Sequence, residues 1–154
     1  MRSEIEELIK RPWSSYDEAK TRSEEIDRLL GFQISAIEEA LRAEKSDFES
    51  WVHVSPQGFQ TPYSELYDIV QGFRPHFGLR WCDFGCAYGR LGLILKWFRP
   101  QDDFVGYEFA QARVVEGNRV LQIWCGFESH LQQMDLRKSA VPADFDIAFL
   151  YDFG

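Results

Sequence analysis

LRWCDFGCAYGRLG, residues 79–92, is the stretch of sequence that decides the fold. Its first residues are largely apolar, small residues follow at Gly85, Ala87 and Gly89, and a helix-period pattern begins at Leu91. This order predicts a strand, a tight turn and a helix. Small residues let the backbone approach a ligand closely, and the first N–H groups of the following helix have no partner inside it. We therefore expect the turn to bind a nucleotide-like cofactor at the mouth of an open α/β sheet.

An acidic residue distinguishes this turn from that of a dinucleotide-binding fold. Asp83 lies two residues before Gly85 and the small residues then alternate, whereas a dinucleotide-binding strand leads into G-x-G-x-x-G. A carboxylate at this rim suits a ligand that carries an ammonium group and no phosphate. The stretch resembles the first motif of the class I S-adenosylmethionine (SAM) dependent methyltransferases, with Ala87 where that family usually has its middle glycine.

The resemblance implies that SAM is the cofactor and that its methionine part lies against the turn. The cofactor-binding residues implied here are Asp83, Gly85, Cys86, Ala87 and Gly89. In this family the segment before the first strand often lies over the methionine end of the cofactor, which adds Gln60, Thr61 and Tyr63 as candidates. Thr61 and Pro62 are also expected to begin a helix, as its N-cap and its first residue.

A second acid follows at the end of the next predicted strand, residues 103–109. Glu108 lies 25 positions after Asp83, where an acid can accept hydrogen bonds from both ribose hydroxyls. NAD-binding folds share this arrangement, so Glu108 supports an adenosyl ligand without choosing between the two families. Phe109, the next residue, is included among the expected cofactor contacts.

A third predicted strand, residues 126–136, also ends in an acid. Asp135 and Leu136 stand at its end. The resemblance implies that both contact the adenine, with the Asp135 carboxylate accepting from the exocyclic amine.

A fourth strand is predicted over residues 145–154. Its nearly continuous apolar sequence favours a parallel strand that is buried on both faces. The resemblance implies that residues just after this strand touch the transferred methyl group or its acceptor, and Tyr151, Asp152 and Phe153 stand there. Tyr151 and Asp152 are the catalytic candidates, expected to orient or deprotonate the acceptor. The aromatic, polar, aromatic ending is also similar to the Dot1-type branch of lysine methyltransferases.

Right-handed crossovers would set these strands in the order 3-2-1-4, giving an α/β, Rossmann-like parallel sheet with flanking helices. Residues 1–58 are expected to form a helical cap region and residues 59–154 the SAM-binding domain. The family continues with three more strands and helices, so we expect the chain to be the N-terminal half of such a fold. The long free edge of the fourth strand invites pairing with another chain. We expect it to be covered by the rest of a longer protein, with a second copy of the chain or the N-terminal helices as the alternatives.

Charged residues in the N-terminal region predict helix starts and solvent-exposed faces rather than a site. Three pairs fit a capping box: Ser3 with Glu6, Ser15 with Glu18, and Ser35 with Glu38. Gly31 is expected to end a helix. Arg113, Glu116 and Arg119, at three-residue steps, are likewise expected to form a solvated face.

Composition narrows the class of protein. The 154 residues are 45% apolar, which suffices for a packed domain. The net charge of −8 argues against a nucleic acid partner, because polyanion binding depends on clustered Lys and Arg. Three cysteines without metal-ligand spacing favour a reduced, cytoplasmic setting and predict no metal site. Neither a signal peptide nor a membrane-spanning segment is predicted.

The sequence therefore favours a SAM-dependent methyltransferase whose acceptor, protein or small molecule, is unidentified. One alternative is a module, or an inactive fragment, that binds SAM or its demethylated product without transferring a methyl group. An NAD-dependent oxidoreductase is less favoured, because Asp83 would repel the pyrophosphate.

Overall fold

The computed structural model describes residues 1–43, 55–73, 76–126 and 130–150. These ranges contain six helices and four strands. The helices are α1 (Arg2–Lys10), α2 (Tyr16–Leu30), α3 (Ile34–Ala43), α4 (Tyr63–Gly72), α5 (Arg90–Phe98) and α6 (Gln111–Cys125). The strands are β1 (Arg80–Phe84), β2 (Asp103–Glu108), β3 (Leu131–Gln133) and β4 (Ile147–Leu150).

The four strands form one parallel sheet in the order β3-β2-β1-β4. This confirms the predicted α/β, Rossmann-like fold and its strand order. Because all four strands run in the same direction, their carboxyl ends lie along one edge of the sheet. The turn after β1 and the acid that ends β2 are therefore neighbours.

Close packing of α5 on the sheet accounts for a glycine inside that helix. A Cβ atom on Gly92 would lie 2.5 Å from Cε1 of Phe104, which stands in β2. The helix and the strand therefore approach each other closely at Gly92. The first strand, β1, is buried in the sheet, with Trp81 and Cys82 each 1% exposed.

The expectation that the fourth strand is buried on both faces is wrong for β4. Ala148 and Leu150 are exposed, whereas Ile147 and Phe149 on the other face pack against the core. None of the described helices covers the face that carries Leu150. Pairing through the free edge of β4 stays a prediction.

The helix starts near the N-terminus agree only in part with the capping boxes. Ser15 is the N-cap of α2, and its side chain accepts a hydrogen bond from the Glu18 N–H group. Ser3 and Ser35 lie inside α1 and α3, which begin earlier, so those two predictions are wrong. Gly31 ends α2 in the left-handed conformation, as expected.

Helix α4 begins one residue later than predicted. Pro62 is its N-cap rather than its first residue, and Thr61 makes no cap. The Tyr63 N–H group donates instead to Oγ of Ser23, at 3.1 Å. The Ser23 side chain, from α2, thus accepts a hydrogen bond from an N–H group at the start of α4 that a local N-cap side chain would otherwise have bonded.

The N-terminal helices share a core with the rest of the chain. Ile5, Ile9 and Ile26 belong to the same buried cluster as Leu66 in α4 and Ile94 in α5. The division at residues 58 and 59 stays a prediction, but α1 and α2 pack directly on α4.

Buried charges also join α2 to the start of α5. Asp27 pairs with Arg90 at 2.5 Å, and Tyr63 Oη and Gln57 Nε2 donate to the same carboxylate at 2.8 and 3.1 Å. Arg22, on the same helix, is buried as well, against backbone carbonyls of Arg11 and Pro12. The expectation that the Glu and Arg residues of this region are solvated is wrong for Arg22. Its guanidinium donates to backbone carbonyls in the segment that joins α1 to α2.

Replacing Asp27 by Asn should destabilise the protein by about 3–5 kcal/mol, because it leaves the buried Arg90 charge uncompensated. Urea denaturation at pH 7 measures the effect. Glu25→Gln, an exposed acid on the same helix, serves as the matched control and should change the free energy of unfolding by less than about 0.5 kcal/mol. Equal effects of the two substitutions would contradict a stabilising role for the buried pair.

Candidate functional site

The turn between β1 and α5 holds three residues in the left-handed region. Gly85 and Gly89 have φ of +84° and +79°, and Ala87 has φ of +46°. Ala87 is the only non-glycine residue with positive φ in the described part of the chain. Such a conformation costs about 1–3 kcal/mol and is often found at functional sites.

The turn uses its own N–H groups inside the protein. Gly85 and Cys86 both donate to the Tyr107 carbonyl, at 2.8 and 3.0 Å, and Gly89 donates to the Cys86 carbonyl at 2.8 Å. The Ala87 N–H group donates to Oε2 of Glu108 at 3.0 Å. These four N–H groups are therefore not available to a ligand.

Cys86 is a buried residue of the turn and lines the same cavity as Asp83. A Cβ atom on Gly106 would lie 2.7 Å from the Cys86 Sγ atom, so the thiol packs against β2. Burial, and then the negative charges of Asp83 and Glu108, raise the pKa of this thiol well above its ordinary value. The thiol is thus protonated at neutral pH and acts as a packing group.

Asp83 is buried beside the turn and has no partner in the part of the chain that the structure describes. It lines a small cavity that is open to solvent, of about 30 Å³, together with Gln60, Thr61 and Arg90. No hydrogen bond or ion pair joins its carboxyl group to any other described residue. Burial, and next the charge of Glu108, raise the pKa of Asp83 to about 8. A buried acid without a partner indicates a place where a ligand donor is expected.

Two more polar atoms at this cavity lack partners among the described residues. They are Oε1 of Gln60 and Nε of Arg90, and both residues are buried. Thr61 is buried as well, and its carbonyl accepts from Nη1 of Arg90 at 3.2 Å. The structure therefore brings the predicted Thr61 and Asp83 to one cavity and adds Arg90, which sequence reasoning missed.

Glu108 stands at the same edge of the sheet but is well supplied with donors. Ala87 donates to Oε2 at 3.0 Å, while Ala110 and Arg113 donate to Oε1 at 2.9 and 3.3 Å. A carboxylate has about four acceptor positions, so one remains for a ligand. The contact of Glu108 with the ribose hydroxyls stays a prediction.

A buried cluster covers the turn from the side of α3. Glu38 accepts from Nε and Nη2 of Arg113 at 2.8 and 3.0 Å, and from Tyr88 Oη at 2.6 Å. The Arg113 guanidinium also lies 4.7 Å from the centre of the Phe59 ring. Glu38 was expected to form a capping box, but Ile34 already begins the helix and the carboxylate turns inward.

The prediction of a solvated face on α6 is also wrong, because two of its three charged residues are buried. Arg113 is 3% and Glu116 6% exposed, because α3 and the segment before it pack on this side of α6. Glu116 pairs with Arg119 at 2.7 Å and accepts from the Gln33 N–H group, also at 2.7 Å.

Asp135 and Leu136 follow β3 at the same edge of the sheet. The Met134 N–H group donates to the Glu108 carbonyl at 2.9 Å, which places these residues beside the end of β2. The Asp135 carboxylate pairs with Arg137 at 2.9 Å, and these hydrogen bonds hold the pKa of Asp135 well below its usual range. Leu136 is partly exposed.

Phe109 is 38% exposed beside this edge, with the Arg137 guanidinium 5.3 Å from its ring centre. The structure thus brings Asp83, Glu108 and Asp135 to one edge, although Asp135 does not line the cavity that contains Asp83. The catalytic candidates Tyr151 and Asp152, and Phe153 with them, lie outside the described residues.

Neither a metal centre nor a membrane span is found in the described ranges. No group of three or more His, Cys, Asp or Glu side chains there could hold a metal ion. No helix among those described is long and apolar enough to cross a membrane.

Comparison of the sequence with models of protein families gave no match, and neither did comparison with curated proteins. The chemistry of the site therefore has to be argued from its own residues.

Titration of Asp83 predicts how stability depends on pH. The unfolded chain releases this proton near pH 4, whereas the folded protein keeps it up to about pH 8, so this residue lowers stability as pH rises through that window. Asp83→Asn should therefore gain about 1–3 kcal/mol relative to the wild type between pH 5 and pH 7.5. Urea denaturation at both pH values measures the difference.

Asp103→Asn is the matched control, because Asp103 is exposed at the start of β2, on the opposite edge of the sheet. Its effect should not change with pH by more than about 0.5 kcal/mol. A pH-independent effect of Asp83→Asn would contradict a protonated carboxyl group at this position.

Proposed function

We propose that this protein binds SAM and transfers its methyl group to an acceptor that the residues do not identify. The observation that carries the proposal is the buried, unpaired Asp83 beside a turn that contains a left-handed alanine. Together with the acidic residues at the ends of β2 and β3, it favours a nucleoside that carries an amine.

The cavity beside Asp83 suits the amine end of such a ligand. An ammonium group next to Asp83 would supply the charge and the donors that this carboxyl group lacks. Gln60 also lines this cavity, and its buried Oε1 has no partner among the described residues. A pyrophosphate would instead bring negative charge to two acids, which is why a dinucleotide is disfavoured.

The adenosyl half would extend along the carboxyl ends of the strands. Glu108 has one acceptor position left for a ribose hydroxyl, and Phe109 and Leu136 offer partly exposed apolar surface beyond it. Asp135 would have to exchange part of its pairing with Arg137 for the adenine amine.

SAM supplies a methyl group on a sulfonium sulfur, which is already a good leaving group. The protein's contribution to rate is then to position the acceptor in line and to exclude water. Tyr151 and Asp152 are proposed to orient or deprotonate the acceptor, because they follow the last residue of β4 directly in the sequence. A cytoplasmic location and the absence of a nucleic acid partner belong to the same proposal.

Binding of S-adenosylhomocysteine, measured by isothermal titration calorimetry, tests the proposal. The wild type should bind it, and Asp83→Asn should weaken binding at least about tenfold, since a charge-assisted hydrogen bond is lost. At pH 6.5 the wild type should release about one proton on binding, because Asp83 must ionise to pair with the amine, and Asp83→Asn should release none. The control Asp103→Asn should behave like the wild type.

The competing functions give different results. Thermal stabilisation by NADH but not by S-adenosylhomocysteine would contradict the proposal and favour an oxidoreductase. Binding of S-adenosylhomocysteine without transfer of labelled methyl from SAM to any component of a cell extract would favour a binding module.

A further inference from the structure

The core that the helices share lies on one face of the sheet. The strand register places Trp81, Phe104 and Ile147 in one row of this face, and all three belong to or pack against that core. The opposite face, here the open face, carries Phe84, Tyr107 and Leu150 in one row, and none of these three joins the core. The described helices therefore leave the open face without a layer on it.

The chain crosses the open face between β3 and β4. The step from β3 to β4 runs across the sheet in the direction opposite to the step from β1 to β2, so a right-handed connection lies on the face opposite α5. The rings of Phe145 and Phe84, with centroids 5.8 Å apart, agree with this placement. Residues 134–146 are all described and contain no helix, although a crossover between parallel strands is usually helical.

Apolar side chains are exposed along this connection and on β4. Leu136 and Val141 are 39% and 59% exposed, and Leu150 is 67% exposed. Phe84 stacks on Tyr107 in the row that contains Leu150, with ring centroids 5.9 Å apart. All-parallel sheets are ordinarily covered on both faces, so we expect a second layer to bury this apolar surface.

The charges at the two ends of the open face have opposite signs. The amino edge of the sheet carries three exposed carboxylates and one guanidinium, on Asp103, Asp144, Asp146 and Arg80. The connection begins at the carboxyl edge, where two cations accompany one carboxylate, on Arg137, Lys138 and Asp135. The side chains of Lys138 and Asp144 are 81% and 88% exposed. A surface with an apolar middle and ends of opposite charge is complementary to a second copy of itself, rotated about a twofold axis.

We propose that the open face, with the 134–146 connection that crosses it, is where a second copy of this chain docks. The two copies lie face to face with their strands antiparallel, so that Lys138 of each copy approaches Asp144 of the other. Leu150 is then covered by apolar side chains of the second copy. Pairing through the free edge of β4 would instead leave the open face uncovered. This inference does not depend on the proposed binding of SAM.

Sedimentation equilibrium of the 154-residue chain tests the proposal. The wild type should be largely dimeric at about 100 μM, and Leu150→Asp should raise the dissociation constant at least about tenfold, because it would bury an unpaired charge. Ile123→Asp is the matched control, since Ile123 is 64% exposed on α6, which packs on the other face. This variant should dimerise like the wild type, and urea denaturation checks that each variant is folded.

Exchange of two charges tests the orientation of the copies. Lys138→Glu should weaken the dimer at least about threefold, because like charges then meet across the interface. Combining it with Asp144→Lys should restore the dissociation constant to within about twofold of the wild type. Pairing through the edge of β4 predicts no effect of Lys138→Glu, because Lys138 follows β3 at the other side of the sheet.

Three results would overturn the proposal. They are a wild type that is monomeric at about 100 μM, a folded Leu150→Asp variant that dimerises as tightly as the wild type, and a dimer that Lys138→Glu does not weaken. The first result needs only the wild-type protein, so it decides the question even if a variant fails to fold. None of these measurements involves S-adenosylhomocysteine, so failure of this inference and failure of the proposed function are distinguishable.

Discussion

The hydrogen bond from the Ala87 N–H group to the Glu108 carboxylate is the contact on which the candidate site depends. It joins the turn after β1 to the end of β2, which the parallel pairing of these strands has already brought side by side. The left-handed backbone of Ala87 is costly, and a charged acceptor offsets part of that cost. The shape of the turn and the direction of the Glu108 side chain are thus mutually dependent.

Two buried ion pairs extend this dependence to the N-terminal helices. Asp27 with Arg90 ties α2 to the first residue of α5, and Glu38 with Arg113 ties α3 to the first turn of α6. Buried pairs of this kind add little net stability, but an unpaired member is costly. They therefore specify where the N-terminal helices sit, and both attachment points lie next to strand ends that carry the site.

Much of the fold could be predicted because its determinants are local. The apolar strand and the small residues at Gly85 and Gly89 define the strand, turn and helix unit, and the handedness of crossovers gives the strand order. The buried charged side chains are paired with residues far away in the sequence. Their local spacing on a helix therefore predicted solvent-exposed faces instead. One indication was present: Glu38 stands between Ile34 and Leu41 at i, i+4 and i+7, on the apolar stripe of α3.

The contrast between the two acids at the ends of β1 and β2 explains why a cation suits this edge of the sheet. Three N–H donors bond to the Glu108 carboxylate, whereas Asp83 has no donor among the described residues, and burial and the charge of Glu108 raise the pKa of Asp83 to about 8. A positive group beside Asp83 would remove both obstacles to its ionisation, and a negative group would add to them. The edge is therefore suited to a ligand with an amine at one end and uncharged hydroxyls near Glu108.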